Sequence, residues 1–106
     1  MNIDTIAVEI LEHAKDDWVD FAEVMSIVRS HFKSTESDIV QQSVKLIDRM
    51  LKGRQIVVGE LQKRGDMVSF SPWNESPELI MKRINEGLAM LGHRPGIGDI
   101  CWLSTI

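Results

Sequence analysis

Cysteine occurs once in the 106 residues, at Cys101, so neither an internal disulfide framework nor a cysteine-cluster zinc site can be built from this chain. A reducing compartment is the expectation. No apolar stretch approaches the roughly 20 residues that a membrane-crossing helix needs. Met1 to Glu12 carry acids within an amphipathic pattern and lack the basic start and apolar run of a secretory leader. The reading is a soluble, cytoplasmic protein with no membrane partner. Positive charge is not in excess either, since the formal net charge is -4. That balance argues against a nonspecific nucleic-acid coat while leaving room for a local basic patch. Internal repeats and low-complexity segments are missing as well.

Hydrophobic residues make up 43% and charged residues 26% of the chain, the composition of a folding globular protein rather than a disordered one. A chain of this length buries roughly 60–70% of its unfolded surface, enough for one core without disulfides or metal. One domain over residues 1–106 is expected.

Ile3, Ile6, Ala7, Ile10, Leu11 and Ala14 recur at the spacing of one apolar helix face. Asp16 and Asp17 mark the exit of this first helix, because acids oppose the negative end of the macrodipole. Trp18 and Val19 form a short extended piece. Asp20, with Glu23 three residues on, resembles a capping box that opens a second helix through Phe21, Met25, Val28 and Phe32. Ser34 or Thr35 caps a third helix running to Lys52, with Val40, Val44, Ile47 and Leu51 as its buried stripe and Gly53 as a left-handed terminator. Gln55–Leu61 and Met67–Phe70 read as strands joined by a hairpin loop at 62–66. Ser76 and Pro77 open a fourth helix whose apolar face is Leu79, Ile80, Ile84, Leu88 and Leu91, and Gly92 ends it. The apolar run Ile100–Leu103 reads as a buried strand that pairs with the hairpin sheet or packs on the fourth helix.

Three helices, a short extended piece between the first two, and a polar-tipped hairpin form an order that resembles the winged-helix domain over residues 3–73. The fold class expected is therefore α+β: a winged-helix-like three-helix core plus β-hairpin, with an added C-terminal helix and strand over 74–106. In that fold the third helix would be the recognition helix and Lys63, Arg64 and Gly65 the wing tip. The second half carries a more distinctive string: Val58-Gly59-Glu60-Leu61, Phe70-Ser71-Pro72-Trp73, Ser76-Pro77-Glu78, then Leu91-Gly92 and Pro95 through Leu103. It is similar to small bacterial immunity proteins found beside polymorphic or contact-dependent growth-inhibition toxins. The resemblance implies a stoichiometric, noncatalytic binder that neutralises a cognate toxin domain, often a nuclease.

Catalytic and metal chemistry finds little support. His13, His31 and His93 share no metal or base spacing, and the bland reading is surface or capping histidines. Cys101 sits in an apolar run where an inert buried thiol is expected. Gly96-Ile97-Gly98 precedes a strand and lacks a following Lys-Ser or Lys-Thr, so it reads as a turn rather than a phosphate loop. No catalytic residue, cofactor or metal is assigned. Trp18, Trp73 and Trp102 are read as core residues or partner anchors.

Charge is split along the chain. Residues 1–38 hold nine acids against three bases, and residues 39–106 seven acids against nine bases. A solvated acidic face is one reading of that skew. The other is a docking face for a basic partner, in which Glu9, Glu12, Asp16 and Asp17 steer association. The alternative function is a small winged-helix transcription regulator. Gln41, Lys45 and Arg49 would then enter a DNA groove, with Lys63 and Arg64 on phosphate.

Overall fold

The computed structural model describes residues 3–106; Met1 and Asn2, where the stretch read for a leader begins, lie outside them. Three helices start where a short polar side chain takes up a free backbone N–H. The Asp20 carboxylate accepts from Glu23 N at 2.9 Å, the Thr35 hydroxyl from Asp38 N at 3.2 Å, and the Ser76 hydroxyl from Leu79 N at 3.3 Å. The elements in chain order are α1 (Ile3–Asp16), β1 (Val19–Asp20), α2 (Phe21–His31), α3 (Glu36–Lys52), β2 (Ile56–Arg64), β3 (Met67–Pro72), α4 (Pro77–Leu91) and β4 (Trp102–Thr105). The architecture is α+β, four helices with one four-stranded antiparallel sheet. None of the described helices is long and apolar enough to cross a membrane.

The sheet runs in the order β1-β4-β2-β3. β4 lies between β1 and β2, pairing Leu103 with Val19 on one side and with Val58 on the other. Because paired residues share a face and alternate residues point oppositely, Val19, Val58 and Leu103 fall on the same side. All three are fully buried beside Ile6, Ile10, Phe21 and Ile47 of the helices. The opposite side carries Val57, Leu61, Phe70 and Trp102, none of them fully buried. Gly59 sits between Trp102 and Pro72 in this register. A Cβ there would lie 2.1 Å from the Ser71 carbonyl oxygen, so only glycine lets β3 approach so closely.

Several boundaries differ from the sequence reading: β1 is Val19–Asp20 rather than Trp18 and Val19, β2 starts at Ile56, and β3 runs on to Pro72. Gly53 is not left-handed: its φ is -76°, and Arg54 takes the positive value of 58°. The Gly53 N–H still bonds back to Arg49 O at 2.9 Å, which postpones the reversal by one residue. The hairpin strands extend to Arg64 and Met67, leaving Gly65-Asp66 as a two-residue turn with Gly65 at φ 60°, as hairpins with glycine first require. β4 begins at Trp102 rather than Ile100. Ile100 instead reaches α4, where its Cδ1 lies 3.7 Å from the Cβ position of Gly87, so the run serves both neighbours anticipated for it.

Candidate functional site

Of the four acids read as a docking face, Glu12, Asp16 and Asp17 come together at the end of α1, in one depression with His13 and Glu23 of α2. The helix stops there because Asp17 turns its carboxylate onto the next backbone, accepting from Trp18 N at 2.7 Å. His13 Nδ1 lies 2.8 Å from the Glu23 carboxylate. Glu9, one turn earlier, does not line this depression and faces His31 of α2 at 3.3 Å. The depression opens beside Trp18, which is half-buried and stacks on Phe70 of β3 with ring centroids 6.4 Å apart and planes 21° from parallel. Acids at the end of α1 therefore adjoin the outer, aromatic side of the sheet.

The basic set is divided: Lys45 and Arg49 line one small pocket with Ile3 and Ile6 of α1, and the hairpin pair lies apart from them. Gln41 and Lys45 face α4, lining a groove with Val40, Val44, Asn85 and Leu88. Arg49 pairs with Asp4 of α1 at 3.0 Å. Lys63 and Arg64 are exposed at the far end of the hairpin. Glu36, Asp38 and Asp48 also belong to α3, and Asp48 pairs with Lys52 at 3.0 Å.

A third region was invisible to residue-by-residue reading. Glu60, Trp73, Asp99, Cys101 and Trp102, all from the distinctive string of the second half, converge with Arg83 of α4 on one cleft of about 390 Å³. The Arg83 guanidinium lies 4.0 Å over the Trp73 ring, a cation–π arrangement. It also reaches Glu75 at 2.9 Å and Glu60 at 3.9 Å. The Trp73 indole N–H is buried without a hydrogen-bond partner among the described residues. The only sequence signal for this gathering was the clustering of tryptophan, glycine and proline in that string.

Cys101 is 2% exposed, and burial pushes its thiol up to about 12, with the negative charge of Asp20 adding to the effect. It is a packed apolar group rather than a nucleophile at neutral pH. Among the described residues, no group of three or more His, Cys, Asp or Glu is arranged to hold a metal ion. His93 Nδ1 lies 2.9 Å from the carbonyl oxygen of Arg94, whereas His13 and His31 each face a carboxylate. No family model matches this chain, and neither a curated protein nor a solved structure matches it.

Proposed function

We propose that this chain is an immunity protein that binds and neutralises a cognate toxin domain, a basic nuclease in the simplest case, without catalysis. The observation that carries the reading is the acidic depression of Glu12, Asp16 and Asp17 abutting the Trp18–Phe70 stack. Binding surfaces combine desolvated aromatic anchors with a charged rim, the anchors supplying affinity and the rim steering encounter. Glu9 extends the negative field by one turn of α1. Partner and compartment follow from the resemblance of the second half: a toxin domain met in the cytoplasm.

The winged-helix comparison rests on the order α1-β1-α2-α3-β2-β3, and its DNA-binding corollary is the second reading. Favouring it are Lys63 and Arg64, exposed at the hairpin tip with no ion pair among the described residues. Weighing against it, α4 packs beside Gln41 and Lys45 on the helix that would have to enter a groove. Arg49 is also already engaged by Asp4.

A paired measurement separates the two. Reversing Glu12, Asp16 and Asp17 to lysine should slow association with the toxin domain encoded beside this chain and weaken its dependence on ionic strength. Trp18→Ala should speed dissociation by about tenfold or more, as for loss of a buried aromatic anchor. Reversing Lys45, Arg49, Lys63 and Arg64 to glutamate should matter little to that partner. Tight, salt-sensitive binding of promoter DNA, abolished only by the basic reversal and without toxin affinity, would overturn the immunity reading in favour of regulation.

A further inference from the structure

β3 is an outer strand of the sheet, and the one guard in its sequence is Pro72, at its far end. Met67-Val68-Ser69-Phe70-Ser71-Pro72 contains no charged residue, whereas exposed edges are ordinarily protected by lysine, inward charges or bulges. Met67 and Val68 are 76% and 47% exposed. The phase of the ladder says which backbone groups are left over. Trp73 N donates to Val58 O at 3.0 Å, one step beyond the Gly59–Pro72 pair. Antiparallel pairs alternate between exchanging both hydrogen bonds and exchanging none. The bonded pairs are therefore Glu60 with Ser71, Gln62 with Ser69 and Arg64 with Met67, and Val68 and Phe70 turn their N–H and C=O groups away from β2.

We propose that this edge pairs with the β3 edge of a second copy of the chain, antiparallel about a two-fold axis passing between the two Ser69 residues. In that register Val68 of each copy faces Phe70 of the other, and both pairs exchange both of their main-chain bonds. All outward groups of Val68 and Phe70 are then used, and Pro72, which has no N–H, falls outside the bonded pairs. Val68 and Phe70 share the outer face of the sheet, so each cross-strand pair is the β-branched and aromatic combination that stabilises sheets. A two-fold interface places equivalent residues near one another, and an uncharged strand is the kind that does so without like-charge repulsion. The same register sets the hairpin end bearing Lys63 and Arg64 beside the end of the other copy that leads to Glu75. This pairing is argued from the ladder and not from the toxin reading, although both draw on Phe70.

Sedimentation equilibrium of the full chain from about 10 μM to about 1 mM should show a mass rising from 12.1 kDa towards twice that value. Val68→Pro removes an outward N–H that the β2 ladder does not use, and should leave a monomer with unchanged circular dichroism. Ser69→Lys, which keeps every backbone group but sets two ammonium groups face to face, should do the same and covers the case in which the proline variant misfolds. Ser69→Cys should give an intermolecular disulfide on oxidation, since non-bonded antiparallel pairs bring their Cβ atoms within bridging reach. A mass fixed at 12.1 kDa throughout, or a dimer indifferent to Ser69→Lys, would overturn the proposal. So would a monomer whose Ser69→Lys variant loses toxin affinity instead, which would assign the edge to the partner.

Discussion

The carboxylate of Asp20 is 5% exposed and accepts two backbone N–H groups, from Glu23 at 2.9 Å and from Gly98 at 2.8 Å. The first bond caps α2. The second pins the loop before β4 to the start of the same helix, 78 positions away in sequence. Capping side chains are worth about 0.5–2 kcal/mol, and hydrogen bonds to a charged group about 1.5–3 kcal/mol. Asp20→Ala should therefore lower the unfolding free energy in a urea titration by about 2–4 kcal/mol. Asp20→Asn, keeping one acceptor oxygen, should lose roughly half as much. A loss below about 0.5 kcal/mol for the alanine variant would mean that neither bond supports the folded state.

At the scale of elements, β4 holds the sheet together, because β1 has only two residues and bonds to nothing else in it. A chain ending at Gly98 would lose Cys101 and Leu103 from the core, expose Val19 and Val58, and leave Gly98, the second donor to Asp20, at a free chain end. It should aggregate or give a circular dichroism spectrum without a cooperative melt; an unchanged melting temperature would show β4 to be dispensable. The helices were legible in the sequence because their signals are local: Asp20, Thr35 and Ser76 announce starts, Gly92 announces an end, and apolar spacing gives the face of α1. On α3 the fully buried residues are Ile39, Ser43, Leu46, Ile47 and Met50, with Val40, Val44 and Leu51 of the stripe read from the sequence only half-buried, and Leu79 of α4 is exposed. The sheet order was not, since no local pattern says which of two distant strands a four-residue segment will join. The candidate site divides in the same way. Glu12, Asp16 and Asp17 lie within six positions and were read together, whereas Trp18, Phe70 and Trp102 reach one side of the sheet from three separate segments. The basic strip failed to assemble because its α3 members and the hairpin tip belong to different parts of the surface, which sequence spacing could not show.

Over the whole molecule, one buried cluster joins all four helices to the inner side of the sheet, and Cys101 lies within it. Its thiol is therefore a reporter of global opening. Labelling by a thiol reagent at pH 8 should be slow in the native protein and immediate in denaturant, and it should accelerate in step with the Asp20→Ala destabilisation. The thiol's value is raised in the folded state from 9.0 to about 12, so the unfolded chain loses its proton first. Stability from this group is fully present below about pH 9 and declines as pH climbs towards 12. A stability profile flat between pH 8 and 11 would contradict that, as would fast native labelling. The position of β4 also bears on how the protein comes into being. The residues that β4 pairs with are translated 43 to 84 positions before their partners, and at about 5–20 residues per second the stretch between the hairpin and β4 takes roughly 1.5–6 s to make. Through that interval the nascent polypeptide holds β1 and the hairpin with no strand to bridge them, so folding of the sheet is a late, high-contact-order event. Until residues 102–105 arrive, the inner side of the unfinished sheet stands open to chaperones and proteases, and the amount of active protein depends on how quickly that interval is closed.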